Sequence, residues 1–181
     1  MADVLNDISM STMLKGAAAG AAATAVMNQV TTWMYEHESD AAREREDRAR
    51  GGRTAYVSAA SRLAGTAGVE LDEAQKAQAG TALHWATGIG AGVAYAVARQ
   101  RWPAVARANG LPFGIGFFLL VDEGVNTALR FTPPPRAFPW QAHARGAAGH
   151  VVFGLVTHAV LAGLDRLIPT RRRVEALLSA N

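Results

Sequence analysis

The chain has 181 residues, half of them hydrophobic and 18 % charged, with a formal net charge of +3 and no cysteine. That length suits one domain of ordinary size. The absence of cysteine excludes disulfides, thiolate metal sites and a cysteine nucleophile. A mean hydropathy of +0.06 conceals a segregation. Charges crowd into residues 36–53, 70–76, 99–107 and 166–175, and the stretches between are rich in Ala and Gly, as where helices pack closely in lipid. The Arg residues flank these apolar stretches. Anionic lipid headgroups are therefore the expected partner, and nucleic acid is not.

Residues 1–12 carry Asp3 and Asp7 and no basic n-region. The apolar run that follows is expected to be a retained helix rather than a signal peptide. A first span is predicted over 13–35, where Gly16 and Gly20 form a small-xxx-small pair that permits close backbone approach. Asn28 and Gln29 in its second half are expected to hydrogen-bond across helices. Residues 36–79 form a polar, partly helical connection. Its charged run predicts a solvated helix with Glu44–Arg48 and Glu46–Arg50 pairs, ended by Gly51 and Gly52. Ala55, Tyr56, Ala59 and Leu63 then suggest an amphipathic helix on the membrane surface or on the bundle. Residues 71–78 read as a short lead-in.

A second span is predicted over 80–98, a third over 111–131 and a fourth over 144–168. Each is near the ~20 residues needed to cross a hydrocarbon core. Trp33, Tyr35, Trp102 and Trp140 lie near span ends, where interfacial aromatics collect. A soluble bundle would show a charged stripe on each helix, and residues 80–98 and 151–164 have none. The expected fold is an all-α, single-domain, four-helix membrane bundle. Arg99, Arg101 and Arg171–Arg173 favour both termini in the cytoplasm. Between spans three and four, Pro133, Pro134 and Pro135 exclude helix. With Phe138, Trp140 and His143 they predict an ordered cap in extended polyproline conformation.

Several short runs carry a resemblance: GTALHW at 80–85, GLPFG at 110–114, Asp122-Glu123, PPP…FP at 133–139, His143, and GHVVFGL at 149–155. In order and spacing they are similar to the YagU-like inner-membrane proteins, a bacterial family of unknown function, over residues 80 to about 166. The resemblance implies a bacterial inner-membrane protein and an association with acid tolerance. It implies no substrate or reaction. His158 lies outside the pattern.

The candidate site residues are those whose presence inside a span is costly. An ionised carboxylate at mid-bilayer costs at least ~3 kcal/mol, so Asp122 and Glu123 are expected to face protein or water. Glu123 stands one heptad before Arg130, and Asp122 shares a face with Asn126. His84 and His150, on different helices, are expected to approach these carboxylates, with Gly88, Gly92, Gly149 and Gly154 allowing spans two and four close to span three. His84, His150 and Glu123 are also the candidate ligand set for a divalent metal, and two histidines on different helices are a pattern for haem. Without HExxH, CxxCH or paired Glu-x-x-His motifs, no cofactor is expected, and metal or haem stands as the minor alternative. Glu36-His37-Glu38 is read as a solvated helix end rather than a cation site. Gly88, Gly90 and Gly92 lie in an apolar helix and not in a nucleotide loop. No serine has a nucleophile context.

Two classes of function follow. The first is a non-enzymatic membrane module that binds lipid, a membrane protein complex or a second copy of itself. The second is a proton- or ion-handling membrane protein using Asp122, Glu123, His84 and His150. A dry, fully paired polar centre favours the first, and a wet path to one face favours the second.

Overall fold

The structure is a computed structural model and describes residues 10–168. The expectations placed on residues 1–9, on Pro169 and on Arg171–Arg173 lie outside the described residues. Within them the chain is helical, with no strand. Helix α1 spans Met10–Glu36, α2 Asp40–Arg50, α3 Ala55–Thr66 and α4 Glu73–Arg101. A tight 3-10 stretch, Pro103–Gly110, leads into α5 (Leu111–Phe117), a π-helical segment (Phe118–Val125) and the single turn α6 (Asn126–Ala128). A 3-10 turn at Pro135–Ala137 precedes α7 (Trp140–Leu167).

The helix ends follow local chemistry. Ser39 caps α2 by accepting from the Ala42 N–H, and Gly51, with φ of 60°, closes it in the left-handed region, where glycine carries no Cβ penalty. The Glu44–Arg48 and Glu46–Arg50 pairs both form. Asp72 and Gln75 make a reciprocal capping box at the start of α4. Residues 71–78 are thus not a separate lead-in: from Glu73 onward they are the first turns of α4, which runs unbroken into the predicted second span.

Two helical stretches, Pro103–Ala128 and Trp140–Leu167, are long and apolar enough to cross a membrane by length and composition. Helices α1 and α4 have the length, 27 and 29 residues. Their alanine, glycine, threonine and polar content makes them less apolar than the other two. The four predicted spans therefore divide into two that meet this test and two that do not.

Helices α1 and α4 meet through their glycines. A Cβ added to Gly92 would lie 2.5 Å from Gly20 Cα and closer still to the Gly16 carbonyl oxygen, and one added to Gly88 would strike the Thr24 hydroxyl. Such a seam gains stability from dispersion between close backbones. Helix α7 packs on the other side of α1, with Gly149 against Met27 and Thr31. The predicted role of Gly88, Gly92 and Gly149, admitting span three, is corrected here: all three face α1. Gly154 does meet the third span, facing Gly110 and Gly114. Gly110 has φ of 86° and leaves no room for a Cβ, which would lie 2.7 Å from the Gly154 carbonyl oxygen.

The third span departs from a regular helix. Asn126 N–H bonds the Val121 carbonyl five residues back, the π pattern. Gly124 suits the widened turn, since a Cβ there would sit 3.1 Å from the Leu119 carbonyl oxygen. Arg130 lies beyond the last turn at φ of 56°. The expected heptad relation between Glu123 and Arg130 is lost, because it assumes an unbroken 3.6-residue helix through 130.

The α1–α4 seam predicts a contrast between neighbouring glycines. Gly92→Ala forces backbone apart and is expected to cost about 1–3 kcal/mol. Gly90 has open space where its Cβ would go, and Gly90→Ala is expected to be neutral or mildly stabilising. Denaturant unfolding in mild detergent measures both, and the reverse order would refute the seam.

Candidate functional site

The widened π turn presents Asp122 and Glu123 to a cavity of about 620 Å³ near the connection end of the bundle. Its walls come from α1 (Asn28), α2 (Arg50), α3 (Tyr56), α4 (His84, Trp85), the π segment, the proline-rich loop and the first turns of α7. Both carboxylates are partly exposed, with side-chain accessibilities of 32 % and 26 %. They do not face a dry interior. Asn126 is buried at the lower edge of the same wall.

Each carboxylate faces a histidine of α7. His143 Nδ1 lies 2.7 Å from Glu123 Oε1, and its Nε2 lies 3.0 Å from the Pro135 carbonyl oxygen. Both ring nitrogens thus face acceptors. A neutral imidazole has one N–H and one lone pair, so with an ionised Glu123 one contact would set lone pair against lone pair. The geometry is satisfied when the pair holds one further proton, whether on the ring or on the carboxyl group. His150 Nδ1 is 3.0 Å from the Gly146 carbonyl oxygen and 3.7 Å from Asp122 Oδ2. It donates along its own helix and lies just beyond hydrogen-bond range of Asp122.

His84 sits elsewhere on the wall. Its Nε2 donates to Asn28 Oδ1 at 2.9 Å, and its ring meets Tyr56 edge-on. Asn28 therefore bonds across helices, while Gln29 is exposed. The set His84, His150 and Glu123 is not brought together: each has a different partner. Among the described residues no group of three or more His, Asp or Glu is arranged to hold a metal ion. The residues present do not fit a three-ligand centre.

The proline-rich loop closes one side of the cavity. Pro133 and Pro135 line it, and Phe138 lies under the Arg50 guanidinium and edge-on to His143. Pro134 keeps an extended backbone, with φ of −60° and ψ of 150°, before the short 3-10 turn. The polyproline course is thus shorter than expected. Trp140 is not an anchor. It is 70 % exposed at the first turn of α7, a position suited to a membrane interface.

Against the cavity lies a buried ionic cluster of which the sequence predicted only the Glu46–Arg50 pair; Glu38, expected at a solvated helix end, is instead drawn in by Arg145. Arg145 bonds Glu46 at 2.5 Å and also pairs with Glu38, and Arg50 Nε bonds Glu46 at 2.7 Å. Glu46 is 1 % exposed and Arg145 7 %. One signal was present: Arg145 is a charge placed inside a predicted span. Its partners were hidden in a charged run whose other members are solvated. At the opposite end, Asp165 takes Lys15 at 2.9 Å and Arg99. Between the two ends, the Tyr95 hydroxyl bonds His158 Nδ1 at 2.7 Å.

Two tests follow. Arg145→Ala leaves Glu38 without its cation and Glu46 with Arg50 alone, and is expected to cost about 3–5 kcal/mol, part of it recovered by adding Glu46→Gln. Unfolding in detergent reads both. Burial pushes the Tyr56 phenol up to about 12, with the Asp122 charge adding to the effect. An acid whose folded pKa exceeds its unfolded value of about 10 favours the folded state while protonated. That contribution is full below about pH 10 and is lost as pH rises towards 12. Stability is expected to fall across that window with a smaller slope in Tyr56→Phe.

No curated protein and no solved structure matches the chain. Residues 62–159 match the family described as "Protein of unknown function (DUF1440)". The match runs from α3 into α7 and takes in His84, Asp122, Glu123, His143, Arg145 and His150, leaving Glu38, Glu46 and Arg50 before it. Covering rather more than half of the sequence, it identifies the chain as a member of the DUF1440 family.

Proposed function

We propose that this protein is a four-span membrane protein that takes up and passes on protons at the Glu123–His143 and Asp122–His150 pairs. The observation that carries this reading is His143, whose two ring nitrogens both face acceptors across a cavity wall. A proton held there lies between an imidazole and a carboxylate, next to a cavity large enough for water. The π turn supports it too, since such turns are frequent at functional sites. The likeness to YagU-like proteins supports the bacterial inner membrane as the location and both termini on the cytoplasmic side. A proton-handling centre also accords with acid tolerance as a physiological role.

A second reading, a non-enzymatic module that binds lipid or a further membrane protein, draws on the outer face of the third span. There Ile115, Leu119 and Leu120 are exposed. This face accounts for lipid contact under either reading. It does not account for two carboxylates turned towards a cavity.

The test is proton movement in reconstituted vesicles carrying an internal pH dye. Vesicles with the protein are expected to collapse an imposed pH gradient faster than empty ones. Glu123→Gln and His143→Gln are each expected to slow this about tenfold, the low end for loss of a positioned acid–base group being 10²-fold and partial rescue by water being allowed for. Equal rates with and without protein would overturn the proposal.

A further inference from the structure

The cavity is far larger than a proton requires. Its volume of about 620 Å³ falls in the ~300–1,000 Å³ range of small-molecule sites. Its lining combines two kinds of surface. Tyr56, Trp85, Phe118 and Phe138 supply aromatic rings, and Asp122 and Glu123 supply carboxylates.

The charges of the wall sort into satisfied and unsatisfied. Arg50 and Arg145 are matched by Glu46 and Glu38. Glu123 is matched by His143, 2.7 Å away. His84 is occupied by Asn28. Asp122 has no hydrogen-bond partner of its own among the described residues: His150 stands 3.7 Å away with its Nδ1 proton on Gly146, and the Arg50 guanidinium that acts on it from farther off is paired with Glu46. A carboxylate in a half-buried, low-dielectric wall attracts a counter-ion more strongly than one in water. The rings beside it favour a cation with an apolar body, because the π face is negative. The same wall already accommodates one organic cation from the chain itself: the Arg50 guanidinium stands 5.8 Å over the Phe138 ring.

We infer that the cavity binds a small organic ammonium ion with an aromatic or aliphatic substituent, its charge on Asp122 and its apolar part against the Tyr56, Trp85 and Phe118 rings. This rests on the proton-handling reading and extends it. A cation beside Asp122 lies next to Glu123, so it competes with the proton shared by Glu123 and His143. Binding expels that proton to water, and acid expels the ammonium ion. The groups that face this exchange are Arg50 of α2, Tyr56 of α3, His84 of α4, and Arg145 and His150 of α7. Its product is an exchange of an organic cation for a proton at one site, with charge conserved.

Benzyltrimethylammonium is the probe, with tetramethylammonium, benzyl alcohol and benzenesulfonate as comparisons, titrated into the full chain in mild detergent. Calorimetry reports binding, and a pH dye in weak buffer reports proton release. Saturable binding of benzyltrimethylammonium is expected, at least about tenfold weaker for each comparison and for Asp122→Asn, the equivalent of one ~1.4 kcal/mol contact. Proton release on binding is expected in the wild type and is lost in His143→Gln. Equal binding of benzyl alcohol or benzenesulfonate, or unchanged affinity in Asp122→Asn, overturns the cation site. Binding without proton release overturns the exchange. If Asp122→Asn does not fold, the comparison of cation, neutral and anion on the wild type decides alone. An acid–base titration with the dye and no cation present separates the two proposals. A Glu123- and His143-dependent proton uptake without cation binding defeats this inference and leaves proton handling standing. Absence of that uptake defeats the proton reading itself.

Discussion

Arg145 stands in the first turns of a largely apolar helix whose only carboxylate, Asp165, lies at its far end, and its charge must be compensated by groups brought from elsewhere in the chain. The compensation comes from Glu38, just past the end of α1, and Glu46, on the buried side of α2. Three elements far apart in sequence are thereby drawn to one point. The guanidinium also lies over the Tyr35 ring, 5.0 Å from its centroid, which adds a cation–π contact. A buried ion pair of this kind is weak as net stabilisation and strong as a positional constraint, because either partner alone is costly. Helix α2 cannot drift from the bundle without exposing that cost, and with α2 in place Arg50 is held over Phe138. The wall of the cavity is thus a consequence of where Arg145 is neutralised.

A second constraint, the close glycine seam, acts in the opposite half of the packing. Helices α1 and α4 approach until backbone meets backbone at Gly16, Gly20, Gly88 and Gly92. Little side-chain volume lies between them, and the fully buried core is correspondingly small: Ala19, Ala23, Tyr95, Ala96, Phe153 and Leu161 are its main members. A water-soluble protein of this size would need more apolar burial to offset chain entropy. In lipid the outward-facing leucines and isoleucines require no burial, and tight small-residue packing suffices. The composition and the packing are both compatible with a membrane, as are the two apolar helices.

How much of this was legible beforehand depends on whether a feature is local. The C-terminal end of α2 follows from Gly51, its start at Asp40 behind the Ser39 cap does not follow from the charged run, which begins at residue 36, and the small-xxx-small pair in α1 does mark a close helix contact. The partner of that pair was not legible. Gly88 and Gly92 were expected to receive the third span, and they receive α1, because a glycine groove states that something packs closely without stating what. The π turn was hidden for a related reason. One extra residue in a turn leaves no compositional trace beyond Gly124, yet it shifts every later side chain and removes Arg130 from the face of Glu123. His143 was read as an anchor for the proline-rich cap. Its bond to Glu123 depends on that shifted register. Trp140 failed as an anchor since its position at the first turn of α7 faces outward, whereas Phe138, two residues earlier, is held by Arg50 and His143.

The two histidine–carboxylate pairs differ in contact and in burial. Glu123 and His143 are in hydrogen-bond contact at the cavity wall, 2.7 Å apart. Asp122 and His150 are out of contact by less than an ångström beyond the usual limit, and here the histidine is the deeper partner. His150 is 3 % exposed and is enclosed by Phe117 and Phe118. Its imidazole already spends its Nδ1 proton on Gly146. On the proposed reading, the Glu123–His143 pair would hold a proton in a hydrogen bond, and the Asp122–His150 pair offers no such contact. The adjacency of Asp122 and Glu123 couples the two, since charge gained at one raises the cost of charge of the same sign at the other. Neither pair needs the helix to unfold for that coupling. It follows from placing consecutive carboxylates on a widened turn, where one faces the cavity loop and the other faces the buried stripe of α7.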